Sequence, residues 1–329
     1  MINFNIPGLY EHFDLNMFFL ILRNDHREYF YDDVNISSIF GNFPYCIWDG
    51  GRNFPYYYQC TKQDILRIKN DYINYSVHPR FVFTNPVLQP EDLDDRYCNL
   101  LLDLFKDCDS EVVVNSPLME NYLKENYPQY NLVSSTTKRI TNREKALEEI
   151  MNPNYYQVCL DYDLNKDIEF LESIPMEYRH KVEFLCNAIC PSNCSFRKKH
   201  YDLTGRAHLT YLRDGYTVNP QCKIAAGINC RLGEGNNLSR EDIEKYSKMG
   251  FRYFKLEGRT LPSGAMFANY LYYMIKPEYH PAVMEMACNY EGIFFNDRNS
   301  GIKYSEVQHL NPYPLQFKEQ FWFFIKIII

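Results

Sequence analysis

The chain has 329 residues, a net charge of −7, 46% hydrophobic and 23% charged residues. These proportions exclude collagen-like, disordered and polytopic membrane classes, and the length allows one large domain or two small ones at about 150 residues each. The acidic balance argues against a protein that coats nucleic acid, because phosphate binding relies on clustered Lys and Arg.

Met1 to Tyr10 lacks the basic and apolar regions of a secretory leader. The expectation is therefore a cytoplasmic, reducing setting. There the eleven cysteines serve as buried thiols, metal ligands or catalytic groups and not as a disulfide framework. No apolar run reaches the roughly 18 residues that span a bilayer. The short apolar stretch Phe321 to Ile329 carries Lys326 and reads as a terminal strand or docking segment.

Short β-rich runs bounded by turn residues recur along the chain. They predict strands at Met17 to Leu22, Tyr45 to Trp48, Phe81 to Thr84, Glu111 to Val114, Tyr130 to Ser134, Tyr156 to Leu160, Val182 to Leu185 and Phe251 to Leu256. Helical spacing separates most of them, at Thr61 to Tyr75, Pro90 to Lys106, Pro117 to Tyr127, Asn142 to Met151 and Ser239 to Met249. Strands alternating with helices imply a parallel sheet. Eight such units most simply close into an α/β (β/α)8 TIM-like barrel, with a doubly wound sheet as the alternative.

The expected barrel domain covers residues 1–290, with a long cysteine-containing insertion at 186–250 between the seventh and eighth strands. Residues 291–329 form a C-terminal extension that packs on the barrel or meets a homo-oligomer or partner subunit. Polar residues end several strands: Asn85, Asn115, Ser135, Asp161, Asn187 and Glu257. A barrel carries its active site at that end of the strands, though such residues also serve as turn and cap residues.

Cys186, Cys190 and Cys194 follow directly on the seventh strand, and Cys222 and Cys230 lie in the same insertion. Pro191 biases Cys190 away from helical geometry, so the second half of the group reads as a loop whose thiols can converge. Zinc and iron-sulfur clusters both take four thiolates, and the spacing does not choose between them. Packing of the thiols as small hydrophobes is the bland alternative. Arg197, Lys198, Lys199, His200 and Arg206 follow as a cationic segment, suited to an anionic cluster or acidic substrate, or to solvent. His200 is the histidine nearest the thiols and a candidate ligand or proton donor.

The segment Gly250-Phe251-Arg252-Tyr253-Phe254-Lys255-Leu256-Glu257-Gly258-Arg259 resembles the "G-x-x-x-x-K-I-E-G-R" signature of the collagenase-like peptidase family U32. That family also carries a cysteine-rich segment upstream of its signature. The resemblance implies a (β/α)8-like barrel and a [4Fe-4S] cluster, with oxygen-independent hydroxylation of RNA bases or small-molecule precursors, or peptide hydrolysis, as the activity. Cys190 and Cys194 match the cysteine segment best and Cys186 stands where the family has a His nearby; the expected ligands are Cys186, Cys190, Cys194 and Cys222, with Cys230 as the substitute fourth ligand. Zinc is the alternative metal, and a non-catalytic binding protein with structural zinc is the alternative of a different class.

Residues Lys255 and Glu257 fall on one side of a strand and can satisfy each other or a ligand at the barrel mouth. Arg259 offers a planar fork for a carboxylate or phosphate. Lys255, Glu257 and Asp161 are thus the candidate catalytic residues. Arg259, Asn187 and Arg52 are the candidate substrate-binding residues, Arg52 because it follows Trp48-Asp49-Gly50-Gly51, whose glycines admit a close ligand. The acidic pattern from Asp161 to Glu172 approaches a calcium loop, but Lys166 occupies the place of its glycine turn. Gly233-Glu234-Gly235 lacks the third glycine of a dinucleotide fingerprint.

Overall fold

The structure is a computed structural model that describes residues 1–50, 60–214, 235–259 and 261–290, with residues 211–214 described by their backbone. Eight parallel strands close a barrel in chain order. They are β1 (Ile2–Pro7), β2 (Val34–Gly41), β3 (His78–Phe83), β4 (Glu111–Val114), β5 (Asn131–Ser134), β6 (Gln157–Cys159), β7 (Val182–Leu185) and β8 (Tyr253–Lys255). The helices are α1 (Phe13–Asp25), α2 (Lys62–Asn74), α3 (Arg96–Phe105), α4 (Pro117–Asn126), α5 (Arg143–Met151), α6 (Ile168–Ser173), α7 (Arg197–Asp214), α8 (Arg240–Lys248), α9 (Ser263–Met274) and α10 (His280–Asn289). None of the described helices is long and apolar enough to cross a membrane.

The (β/α)8 expectation holds, and the third to eighth expected strands are β3 to β8 within a few residues. The first two are corrected. Met17 to Leu22 lies inside α1, where Met17, Phe18, Phe19, Leu20 and Leu22 are all buried. This helix packs on α9 as well as on the barrel, with the Phe19 and Tyr270 rings 5.0 Å apart, edge to face. A helix covered on nearly all sides shows a continuous apolar run and loses the 3.6-residue stripe that separates it from a buried strand. Tyr45 to Trp48 is part of the β2–α2 connection, where the Trp48 indole donates to Asp92 O at 2.8 Å. The true first strands carry Asn5 and Ser38, which the barrel interior needs.

Alternate strand residues divide between two environments. Phe4, Phe81, Val112, Phe184 and Phe254 belong to the main core, where each large side chain contributes about 1.5–3 kcal/mol. The interior is polar at its lower level. Arg80 donates to Glu111, to Glu183 and to Gln157, the last at 2.7 Å. Asn5 bonds Glu183 and accepts from Ser38 Oγ at 2.6 Å. Above this network, Phe40, Val82, Val113 and Val133 form a separate apolar collar.

Burial by itself would lower the Arg80 pKa, but Glu111 and Glu183 hold it above its ordinary value. Glu183 is likewise kept below the usual carboxylate range: burial pushes it up, and Arg80 and Lys255 more than offset that. The interior is thus an ionised, mutually neutralised group on which the mouth of the barrel is built.

Candidate active site

Residues that follow the strands converge above the collar on a cavity of about 80 Å³. Lys255, Glu257 and Arg259 line one side and Thr84, Ser135 and Thr136 another, with Phe40 and Val82 among its apolar residues. The β-strand alternation explains the first three, since every second residue leaving β8 faces inward.

Lys255 Nζ sits 4.0 Å from the centroid of the Phe40 ring and 3.9 Å from Glu183 Oε2. Burial lowers its pKa against the opposing pull of Glu183. Glu257 accepts the Ile189 N–H at 3.3 Å through Oε2. Its backbone is clamped by Asn187, whose Oδ1 accepts the Glu257 N–H at 2.6 Å and whose Nδ2 donates to Glu257 O at 3.0 Å. Asn187, expected to bind substrate, has both ends of its amide engaged in placing Glu257.

Arg259 donates to Asp49 Oδ1 at 2.8 Å and to Gly50 O at 2.9 Å. Asn42 donates to the same Asp49 oxygen at 2.6 Å, so the β2 end fixes the guanidinium. A Cβ at Gly50 would lie 2.2 Å from Thr84 O, which explains a glycine here. Glu11, on the β1–α1 turn, is buried beside Arg259 and Asp49, and burial, opposed by Arg259, raises its pKa to about 7. Among the described residues, Thr84 Oγ1 and Thr136 Oγ1 are buried with no hydrogen-bond partner. Hydroxyls in that state beside a cavity are suited to a polar ligand, because an unmet buried polar atom is costly.

Helix α7 lies across this mouth. Arg197 at its start donates to both carboxylate oxygens of Asp161 and stacks 3.8 Å over the Tyr162 ring. Asn85 Nδ2 donates to Gly205 O at 3.3 Å, and His208 Nε2 lies 2.8 Å from Cys46 O. Asp161, expected in catalysis, therefore faces Arg197 and lies outside the cavity lining, and burial pushes its pKa up against the pull of Arg197. A Cβ at Gly205 would come within 2.4 Å of Asn85 Oδ1. Gly205→Ala is expected to cost about 1–3 kcal/mol and to speed amide exchange in α7. Unchanged exchange there would show that α7 is not seated through this glycine.

The cysteines divide. Cys186 Sγ belongs to the main core, near Phe184 O at 3.7 Å, and burial pushes its thiol well up. Cys190 and Cys194 are half-buried on the loop before α7. Arg139 donates to Cys194 O at 3.2 Å and the Asn193 N–H donates to Asp163 Oδ1 at 2.9 Å, which fixes that loop. Among the described residues no group of three or more His, Cys, Asp or Glu is placed to hold a metal. Two loop thiols fall short of the four that a cluster takes, so the described residues alone do not fit one. Cys222, Cys230 and Arg52 lie outside the described residues.

Of the residues expected at the site, Lys255, Glu257 and Arg259 come together in the cavity lining, joined there by Thr84 and Thr136 and, beside Arg259, by Glu11 and Asp49, which the sequence had not singled out. Asp49 stood in the glycine segment already noted for Arg52. Glu11 gives no local signal, since a charged residue in a turn is ordinary.

No protein-family model matches the chain, and no curated protein does. A solved structure, that of the U32 peptidase Mk0906, is similar over 78% of this chain and 93% of its own, with a TM-score of 0.47 and 15% sequence identity.

Proposed function

We propose that the protein is a barrel enzyme of U32-like type whose active site is the mouth cavity. Its substrate is a small anionic molecule or one group of an RNA, modified without oxygen. The observation that supports this most is the convergence of Lys255, Glu257 and Arg259 on one cavity whose lining also includes Thr84 and Thr136, residues with buried hydroxyls that have no partner among the described residues.

In this reading Arg259, pre-oriented by Asp49 and Gly50 O, binds the anionic group. Glu257, placed by Asn187, moves a proton at the reacting atom, and Phe40 with the collar excludes water from below. A [4Fe-4S] cluster on Cys190 and Cys194, completed by thiols such as Cys222 outside the described residues, belongs to the proposal, with zinc as its alternative. It would supply an electron or Lewis-acid function. The thiols stay reduced, as in the cytoplasm.

Two measurements test the reading. Calorimetry with small carboxylates and phosphates is expected to show binding that weakens at least tenfold in Arg259→Lys, in keeping with loss of a bidentate fork. Protein purified without oxygen is expected to carry iron with matching acid-labile sulfide, lost in Cys190→Ser and in Cys194→Ser. Metal-free, folded protein would remove the cluster from the proposal, and cleavage of gelatin by chelated protein would replace the modification reading with a peptidase.

A further inference from the structure

We propose that Lys255 is a Schiff-base-forming nucleophile, condensing Nζ with the carbonyl carbon of a small 2-oxo acid whose carboxylate is held by Arg259. The inference rests on the mouth cavity being the active site, and deepens that reading by naming a reaction and a substrate class.

The placement of Nζ carries the argument. It opens on the cavity, and among the described residues it makes no hydrogen bond, its polar neighbour being Glu183 Oε2 at 3.9 Å. A structural ammonium–carboxylate pair closes to about 2.7–2.9 Å, and this one does not. The other Glu183 oxygen is taken by Arg80 and Asn5, so Glu183 is held in place without a hydrogen bond from the lysine. On the remaining side Nζ meets the Phe40 ring. Desolvation favours the uncharged, nucleophilic form of an amine, and burial lowers the Lys255 pKa below its ordinary value.

The partners that imine formation needs are beside it. Glu257 lies two residues on, on the same side of the chain and in the same cavity. Arg259 and the hydroxyls of Thr84 and Thr136 suit the carboxylate and the carbonyl oxygen of a 2-oxo acid. A cavity of about 80 Å³ favours a substrate of few heavy atoms.

In the reaction, the Nζ lone pair attacks the carbonyl carbon and a C–N bond forms. The carbonyl π pair moves to oxygen, which becomes a hydroxyl. That hydroxyl leaves as water while the nitrogen pair closes C=N. The two protons lost from Nζ depart on the water, carried by Glu257. Amine and ketone become imine and water, with no oxidant or reductant. A proton taken up from solvent through Glu257 then protonates the imine nitrogen, and the protonated imine draws electrons from the adjacent carbon, which suits carbon–carbon bond cleavage or formation, or proton exchange, at that position.

The test is reductive trapping. The full chain is incubated with pyruvate or glyoxylate and sodium cyanoborohydride, and the adduct is located by peptide mass spectrometry. Calorimetry with lactate, which keeps the carboxylate and lacks the carbonyl, runs in parallel. The expected result is one adduct per chain, on Lys255, absent in Lys255→Arg and formed at least 100-fold more slowly in Glu257→Gln. Lys255→Arg removes the amine nucleophile and leaves a long basic side chain in its place, and circular dichroism checks that the fold is kept. Lactate binding without any Lys255 adduct would overturn the Schiff base and leave the cavity reading in place. Adducts spread over surface lysines, undiminished in Lys255→Arg, would also overturn it. Neither binding nor trapping would sink both.

Discussion

Replacing Arg80 with Met is expected to destabilise the barrel by about 3–5 kcal/mol, the cost of leaving buried carboxylates without their cation. Arg80 is fully buried and donates to Glu111, Glu183 and Gln157 from one guanidinium. Without it, Glu183 keeps Asn5 and the long contact to Lys255, and Glu111 loses its ion pair. The effect should reach the mouth, because the collar and Lys255 stand on this layer. Urea unfolding of Arg80→Met against Arg80→Met/Glu111→Gln/Glu183→Gln measures it. The triple variant is expected to recover much of the loss, since uncharged amides carry no unpaired charge. Equal losses in both would mean that side-chain shape, and not charge, sets the cost.

Glu11→Gln is expected to change how stability depends on pH. The native carboxyl keeps its proton up to about pH 7, whereas the ordinary value is 4.5. Between those values the folded chain binds a proton that the unfolded chain has released. Stability therefore falls as pH rises through this window, by about 3 kcal/mol in total, and stays lower above it. Gln cannot titrate. The variant should match the wild type near pH 4.5 and exceed it by about 3 kcal/mol at pH 8, read from urea midpoints at both values. A difference that does not vary with pH would show that Arg259 holds Glu11 ionised throughout.

Both predictions concern residues that the sequence did not single out. Arg80 lies one residue before the expected third strand, and nothing in the run His78 to Phe83 reveals that its partners are Glu111 and Glu183, which lie 31 and 103 positions further along. The Lys-x-Glu-Gly-Arg segment was different. Its spacing puts two charged residues on one side of a strand, and a strand's period of two survives any tertiary arrangement.

Local pattern therefore determined the last six of the eight strands with the helices between most of them, and Lys255, Glu257 and Arg259 as charges on one side of the chain leaving the last strand. Tertiary structure decided what the pattern cannot encode. The apolar run of α1 became a helix because α9 covers the side that would otherwise be polar. The strands holding Asn5 and Ser38 became barrel staves because a buried arginine network satisfies residues that would be misplaced in an apolar interior. Asp161 turned from the cavity to Arg197, Asn187 to the Glu257 backbone and the Cys186 thiol to the core. In each case the partner is distant in sequence, and a buried polar group follows its partner more closely than its place in the chain.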